Sequence, residues 1–179
     1  MKKLLVLFPG IGYTCDKPLL HYAGKLFKGA GYEILKVSYG SFPTGEGGED
    51  TMRIKAEHAV QKSIEALSSA ELEGFDRVVF IGKSIGTIAC THARNALCKD
   101  AVCLLLTPLE ATFSGGGGAC AFHGTGDKWA KTENISTLCQ KTGTKLYTYK
   151  GADHSLETGD VKHDITQLLE VIKVLEHYI

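Results

Sequence analysis

The sequence predicts an α/β protein: a single-domain, doubly wound, mostly parallel six-stranded sheet flanked by helices. Short apolar runs alternate with amphipathic segments along the whole chain, which is typical of strands alternating with helices. Most of the runs are continuously apolar, as in parallel strands that are covered on both faces. The length of 179 residues fits one domain over residues 1–179 with a full core.

The predicted strands are short apolar runs bounded by turn residues. The opening MKKLLVLFPG is interpreted as a buried strand, because Pro9 and Gly10 end its apolar run too early for a signal peptide. The predicted strands cover residues 3–8, 33–37, 77–81, 101–106, 119–123 and 145–149. Helices are predicted between them, where apolar residues recur at three- and four-residue spacing, and Asp160 is the predicted N-cap of the last helix. The glycine-rich segments 45–50 and 114–118 are predicted loops.

Composition excludes several classes of partner. Lys and Arg together number 20, and so do Asp and Glu, so the chain has no excess charge for nucleic acid or for an anionic membrane surface. No segment approaches the roughly 20 apolar residues that span a bilayer. The six cysteines lack metal-ligand spacing and are predicted to fill the core. We therefore expect a cytoplasmic protein without nucleic-acid or membrane partners, and its oligomeric state stays open.

The segment Gly82-Lys83-Ser84-Ile85-Gly86 follows an apolar run and precedes a predicted helix. In such a G-x-S-x-G turn the glycines permit a sharp strand-to-helix connection, and the serine occupies an exposed, strained position. Ser84 is therefore the candidate nucleophile. Its alternative role is that of a small residue in a tight turn.

Two more polar residues follow predicted strands. Asp127 comes after the fifth strand and His154 after the sixth, so both should lie with Ser84 at the carboxyl edge of the sheet. A serine hydroxyl needs an imidazole to take its proton and a carboxylate to orient that imidazole. Asp153 is the rival carboxylate, and Asp127 could instead stabilise a turn. His123 is expected to pack or bond locally.

The Ser, Asp, His order and the turn around Ser84 resemble the α/β-hydrolase superfamily over nearly the whole chain. The resemblance implies that Ser84 is the nucleophile, His154 the general base and Asp127 the orienting acid, with no cofactor and no metal. It also implies an oxyanion hole formed by the backbone N–H groups of Ile85 and Ile11, with Gly12 as the alternative to Ile11. Pro9 stands where relatives often have histidine, which affects the shape of this loop.

The expected function is a serine hydrolase that cleaves an ester or thioester of a small-molecule acyl substrate through an acyl-enzyme. The alternatives are a non-catalytic module that binds a small anion, and an acyltransferase with the same three residues. Lys83 could favour an anionic substrate or simply lie along the sheet. The segment between the fourth and fifth strands is too short for a large cap, so short acyl chains are expected. Five residues could line the pocket or anchor its loops: Gly12, Tyr13, Tyr39, Phe42 and Trp129.

Overall fold

The computed structural model describes residues 1–44 and 49–179, and it confirms the six-stranded sheet. All five strand pairings are parallel, so the sheet is wholly rather than mostly parallel. The spatial order is β2-β1-β3-β4-β5-β6. The strands are β1 (Lys3–Phe8), β2 (Glu33–Lys36), β3 (Arg77–Lys83), β4 (Val102–Leu106), β5 (Cys120–Gly124) and β6 (Lys145–Tyr149).

β1 and β6 have the predicted bounds, the ends of the other four strands differ by one or two residues, and the difference matters at β3. That strand continues through Gly82 to Lys83, because Lys83 still pairs with Leu106 of β4. Backbone pairing to a neighbouring strand does not require an apolar side chain, so the apolar pattern ends before the strand does. The serine of the G-x-S-x-G segment consequently follows the strand directly.

In the described parts of the chain, five α-helices cover the sheet. Asp160 is the N-cap of the last one, as predicted, and its side chain accepts hydrogen bonds from the backbone N–H groups of Lys162 and His163. The helices are α1 (Pro18–Gly29), α2 (Glu49–Ser68), α3 (Ile85–Leu97), α4 (Thr132–Thr142) and α5 (Val161–Glu176).

The two faces of the sheet carry separate apolar cores. In β1, Leu4 and Val6 lie in the core beneath α2, α3 and α4, while Leu5 and Leu7 lie in the core beneath α1 and α5. This alternation follows from the two-residue period of a strand. Five of the six cysteines are buried in these cores, as predicted. Among the described residues, no helix has both the length and the apolar character to cross a membrane.

The glycine-rich segments correct the sequence prediction. Residues 45–48 lie outside the described part of the chain, but α2 already begins at Glu49, so Asp50 is helical rather than looped. Acidic residues favour the first turn of a helix because of its dipole. The second segment includes the end of a 3₁₀ turn, Glu110–Gly115. A Cβ atom on Gly118 would approach the carbonyl oxygen of Cys103 to 2.5 Å, so this end of the segment packs against the sheet.

The strand order places the candidate site. The chain passes from β1 to β2 at one side and returns to β3 on the other side of β1, so the order reverses between β1 and β3. Ligands of doubly wound proteins bind beyond the carboxyl ends of the strands at such a reversal. The loop after β1 and Ser84 after β3 flank this position.

Candidate active site

Ser84 lies on a strained turn between β3 and α3. Its φ of +56° and ψ of −123° are unfavourable for a residue with a side chain. The turn is held on both sides: the Ser84 N–H donates to the Leu106 carbonyl at 3.0 Å, and the Ser84 carbonyl accepts from the Thr87 hydroxyl at 2.6 Å. The two glycines allow close packing, since a Cβ on Gly82 would lie 2.5 Å from the Gly86 oxygen.

His154 connects Ser84 to Asp127 by two short hydrogen bonds. His154 Nε2 lies 2.7 Å from Ser84 Oγ, and Nδ1 lies 2.6 Å from Asp127 Oδ2. An ionised carboxylate can only accept, so Nδ1 carries the ring proton and donates it to Asp127. Nε2 is then free to accept the hydrogen of the serine hydroxyl. The three residues thus meet as predicted, although 43 and 27 positions separate them along the chain.

Asp127 is held by more than the histidine. Its Oδ1 accepts from the Trp129 N–H at 2.8 Å, so the residue stabilises its turn and orients His154 at once. Burial alone would raise the pKa of Asp127, but the hydrogen bonds from His154 and Trp129 outweigh that effect and lower it below the usual value. The rival, Asp153, accepts instead from the N–H groups of Ser155 and Glu157 in its own loop.

His123 lies next to this chain of hydrogen bonds but bonds locally, as expected. Its Nε2 is 3.0 Å from the hydroxyl of Thr132. Its Nδ1 is buried, has no hydrogen-bond partner among the described residues, and lies 4.0 Å from Asp127 Oδ2. Burial lowers the pKa of His123, so the ring is neutral near pH 7.

The loop after β1 lies against Ser84. A Cβ on Gly10 would be 3.3 Å from both the Ser84 Cβ and the Lys83 oxygen, and the Gly10 N–H turns back to the Tyr13 carbonyl at 2.9 Å. Within residues 1–44 and 49–179, the N–H groups of Ile11 and Ile85 have no hydrogen-bond acceptor. Both are therefore open to an acceptor from outside the chain. Gly12 has a φ of +69° and open space around its Cα.

Lys83 does not present its charge to a substrate. The side chain is only 1% exposed, and its ammonium nitrogen lies 4.8 Å from the centre of the Tyr13 ring. Burial lowers the pKa of Lys83 to about 7, although the nearby carboxylates of Asp127, Asp153 and Glu157 act in the opposite direction.

Three of the predicted pocket residues anchor loops, although Tyr13 also lines a small pocket with Pro18 and Leu156. Tyr13 is buried, and its hydroxyl accepts from the Leu19 N–H at 3.1 Å. Tyr39 is buried too, and its hydroxyl donates to the Pro9 carbonyl at 3.1 Å, which fixes the loop after β1. Phe42 packs between the rings of Tyr39 and His58. Trp129 is different: it is 65% exposed, with its ring centre 6.2 Å from that of His154.

The sequence prediction missed a large cavity that the described residues form. A groove of about 1330 Å³ lies between α2, α3 and the 3₁₀ turn Glu110–Gly115, and Ile85 and Trp129 line it beside the site. Most of its accessible surface is apolar, and several of its lining residues recur at helical spacing. Such spacing predicts the buried face of a helix, and it does not distinguish a helix face that meets a core from one that meets a groove.

No protein-family model and no curated protein matches this sequence. Solved structures do match its fold. A serine hydrolase without a lid from Xanthomonas campestris has a TM-score of 0.69 and 13% identity, and the match covers 98% of this chain and 79% of that one. An alpha-beta serine hydrolase homologue from Coxiella burnetii has a TM-score of 0.71 and 15% identity, with 99% and 85% covered.

A third structure is Est1E from Butyrivibrio proteoclasticus with ferulic acid bound. Its TM-score is 0.72 at 11% identity, and 98% of this chain and 87% of that chain are covered. At identities this low, the likeness is one of fold. The parallel sheet, its strand order, the strained serine turn and these matches together show that the chain has the α/β-hydrolase fold.

Proposed function

We propose that the protein is a serine hydrolase that cleaves an ester or thioester of a small acyl compound through an acyl-enzyme. The observation that carries this proposal is the continuous chain of hydrogen bonds from Ser84 Oγ through His154 to Asp127, with heavy-atom distances of 2.7 and 2.6 Å. Those distances match a nucleophile that is hydrogen-bonded to its general base.

In the first step His154 Nε2 takes the hydroxyl proton as Ser84 Oγ attacks the acyl carbonyl carbon. Asp127 keeps the ring in the required tautomer and stabilises the imidazolium that forms. The negative charge that develops on the carbonyl oxygen would be met by the N–H groups of Ile85 and Ile11, whose lack of a protein acceptor supports this role. His154 then donates its proton to the leaving group.

In the second step a water molecule attacks the acyl-enzyme, with His154 again acting as the base. Every proton in this scheme moves between the substrate, water and side chains of the chain itself, so the proposed reaction requires no cofactor. The exposed Trp129 beside His154 leaves the site accessible to water and substrate. The likeness of fold to a serine hydrolase of known structure, and to Est1E with ferulic acid bound, is consistent with this reaction class.

A hydrolysis assay on p-nitrophenyl acetate and on acetyl thioesters tests the proposal, with Ser84→Ala as the control. We expect turnover by the wild-type protein and a loss of roughly 10³-fold or more in the variant. Equal rates for the two proteins would refute the proposal. Acyl transfer to an added alcohol or amine in preference to water would instead identify an acyltransferase.

A further inference from the structure

The groove between α2 and α3 reaches residues that neighbour Ser84 and His154. Ile85, which directly follows Ser84, is fully buried and borders the groove from the core side. Trp129, whose ring lies beside that of His154, lines the groove as well. A substrate whose carbonyl carbon lies at Ser84 Oγ can therefore extend directly into the groove.

The long walls of the groove are two helix faces. The lining residues on them recur at helical spacing, and Ile85 and Ile88 are buried in the core beneath the groove: Ile85, Ile88 and His92 of α3, and Ala56, Val60 and Ile64 of α2. Apart from His92 at the far end, these side chains are apolar, and polar residues of α2 such as Gln61 lie among them in the lining. An apolar surface of this kind on a monomeric protein commonly marks a binding site.

The charged residues around the groove do not select an ion. Arg53 is paired with Glu57 at 2.7 Å, and it also lies 3.8 Å from Asp50. Lys55 and Glu65 add one charge of each sign to the lining. Because the charges are mixed and partly paired, the groove favours an uncharged, apolar occupant over an anion or a cation.

The length of the apolar walls limits the length of the alkyl chain that the groove can hold. From Ile85 to His92 the helix advances seven residues, or about 10 Å. At the far end, His92 Nε2 lies 3.2 Å from the Ser114 hydroxyl, so the apolar surface ends in a polar pair. With carbon–carbon bonds of about 1.5 Å in a zigzag chain, this distance corresponds to roughly eight carbons.

We propose that the groove holds an unbranched alkyl chain of the substrate, roughly eight to ten carbons long. The inference rests on the proposed serine hydrolase activity and identifies the substrate class of that site. It departs from the short-chain expectation, which assumed that apolar wall could come only from a cap. Here α2 and α3 of the domain itself supply the wall.

Two ester series test the inference and show which end of the ester carries the chain. One series varies the acyl chain of p-nitrophenyl esters from C2 to C14, and the other varies the alkyl chain of acetate esters, all below their solubility limits. A fully buried methylene is worth about fourfold in binding, and an open groove should give about half that free energy, or about twofold per methylene. We expect kcat/KM to rise roughly 60-fold from C4 to C10 in one series and then to level off. Flat or falling values beyond C4 in both series would overturn the inference.

A matched pair of variants tests whether the groove causes the dependence of kcat/KM on chain length. Ala111 is exposed and lines the groove between Leu109 and Ser114, whereas Ala96 is exposed on α3 and lies outside the groove. Ala111→Trp should lower the ratio of kcat/KM for C10 to that for C4 by about tenfold or more, because it displaces several methylenes. Ala96→Trp should leave the ratio unchanged. Melting temperatures verify that both variants fold, and an unchanged ratio in folded Ala111→Trp would refute the groove assignment.

A binding measurement separates failure of this inference from failure of the proposed function. Calorimetric titration of Ser84→Ala with dodecyl acetate measures binding in the groove in a protein that lacks the candidate nucleophile. Binding that Ala111→Trp weakens by tenfold or more supports the groove even if no ester is hydrolysed. Ser84-dependent hydrolysis of C2 esters without dodecyl acetate binding would leave the hydrolase intact and overturn the groove.

Discussion

The ammonium nitrogen of Lys83 lies over the ring of Tyr13, 4.8 Å from its centre, directly beneath the loop that follows β1. Lys83 is the residue before the candidate nucleophile, and the fold buries it almost completely. Burial lowers the pKa of this lysine to about 7, while an unfolded chain keeps the ordinary value of about 10.5. The native protein therefore binds fewer protons than the unfolded chain between these two values.

This difference predicts how Lys83→Met changes stability with pH. Below pH 7 the wild-type lysine is charged in both states, and the folded state bears the full cost of burying the charge. Between about pH 7 and 10.5 the unfolded state binds more protons, so wild-type stability rises with pH relative to a variant without the amine. Lys83→Met should thus have a higher melting temperature than the wild type at pH 6, and the excess should shrink by pH 9.

The quantity to follow is the difference in melting temperature between Lys83→Met and the wild type at each pH. Buried thiols and phenols also make the stability of both proteins depend on pH, and the difference removes their contribution. Burial raises the pKa of Cys15 and Cys139 to about 11, so both destabilise the fold at alkaline pH in either protein. Lys28→Met, at the surface of α1, is the control and should show no such change with pH. A constant difference between Lys83→Met and the wild type from pH 6 to 9 would refute the assignment.

The candidate triad should act as a unit. Ser84→Ala and His154→Ala should each lower kcat by on the order of 10³-fold or more, and the double variant should lose little beyond either single one. The reason is that the serine hydroxyl is a weak nucleophile without its base, and the base has no function without the nucleophile. Losses that multiply in the double variant would mean that the two residues work independently.

The two candidate acids can be told apart by substitution with Asn. Asp127→Asn should sharply reduce turnover, because an amide does not hold the imidazole in the same tautomer. Asp153→Asn is the matched control: Asp153 binds the N–H groups of its own loop, so its loss should affect the melting temperature more than kcat. The reverse result, with Asp153→Asn inactive and Asp127→Asn active, would exchange the two roles.

Gly86 should be the least replaceable glycine of the serine turn. A Cβ there would overlap the carbonyl oxygens of Phe8 and Pro9, which are backbone atoms that cannot rotate away. Gly86→Ala should therefore destabilise the protein by roughly 1–3 kcal/mol or more in denaturant unfolding. Gly29→Ala is the control, because a Cβ at the end of α1 meets no atom within 4 Å. Equal stabilities of the two variants would contradict the close packing of β1 against α3.

The strands of the sheet could be predicted because the apolar run that marks each strand lies within a few consecutive residues. The runs of Val, Ile, Leu and Phe before Pro9, Ser84 and Thr107 mark three parallel strands almost to the residue, since both faces of these strands are buried. Ser84, Asp127 and His154 were predictable for a related reason: each follows a strand, and the carboxyl ends of parallel strands share one edge.

The pocket was less predictable because it depends on how elements pack. Tyr13 and Tyr39 follow strands just as the triad residues do, yet both rings turn into the protein and hold the loop after β1. The groove depends on the distance between α2 and α3, and no spacing within either helix encodes that distance. Lys83 is a further example, since charged residues are rarely buried without a charged or hydrogen-bonding partner.

The most direct measurement of the central claim is covalent labelling with an alkyl fluorophosphonate, followed by mass spectrometry of the digested protein. An activated serine beside a neutral imidazole is the group that reacts with such a reagent. The account predicts one adduct, on the peptide that contains Ser84, absent from Ser84→Ala and formed far more slowly in His154→Ala. An unlabelled wild-type protein, or an adduct on another serine such as Ser155, would contradict it.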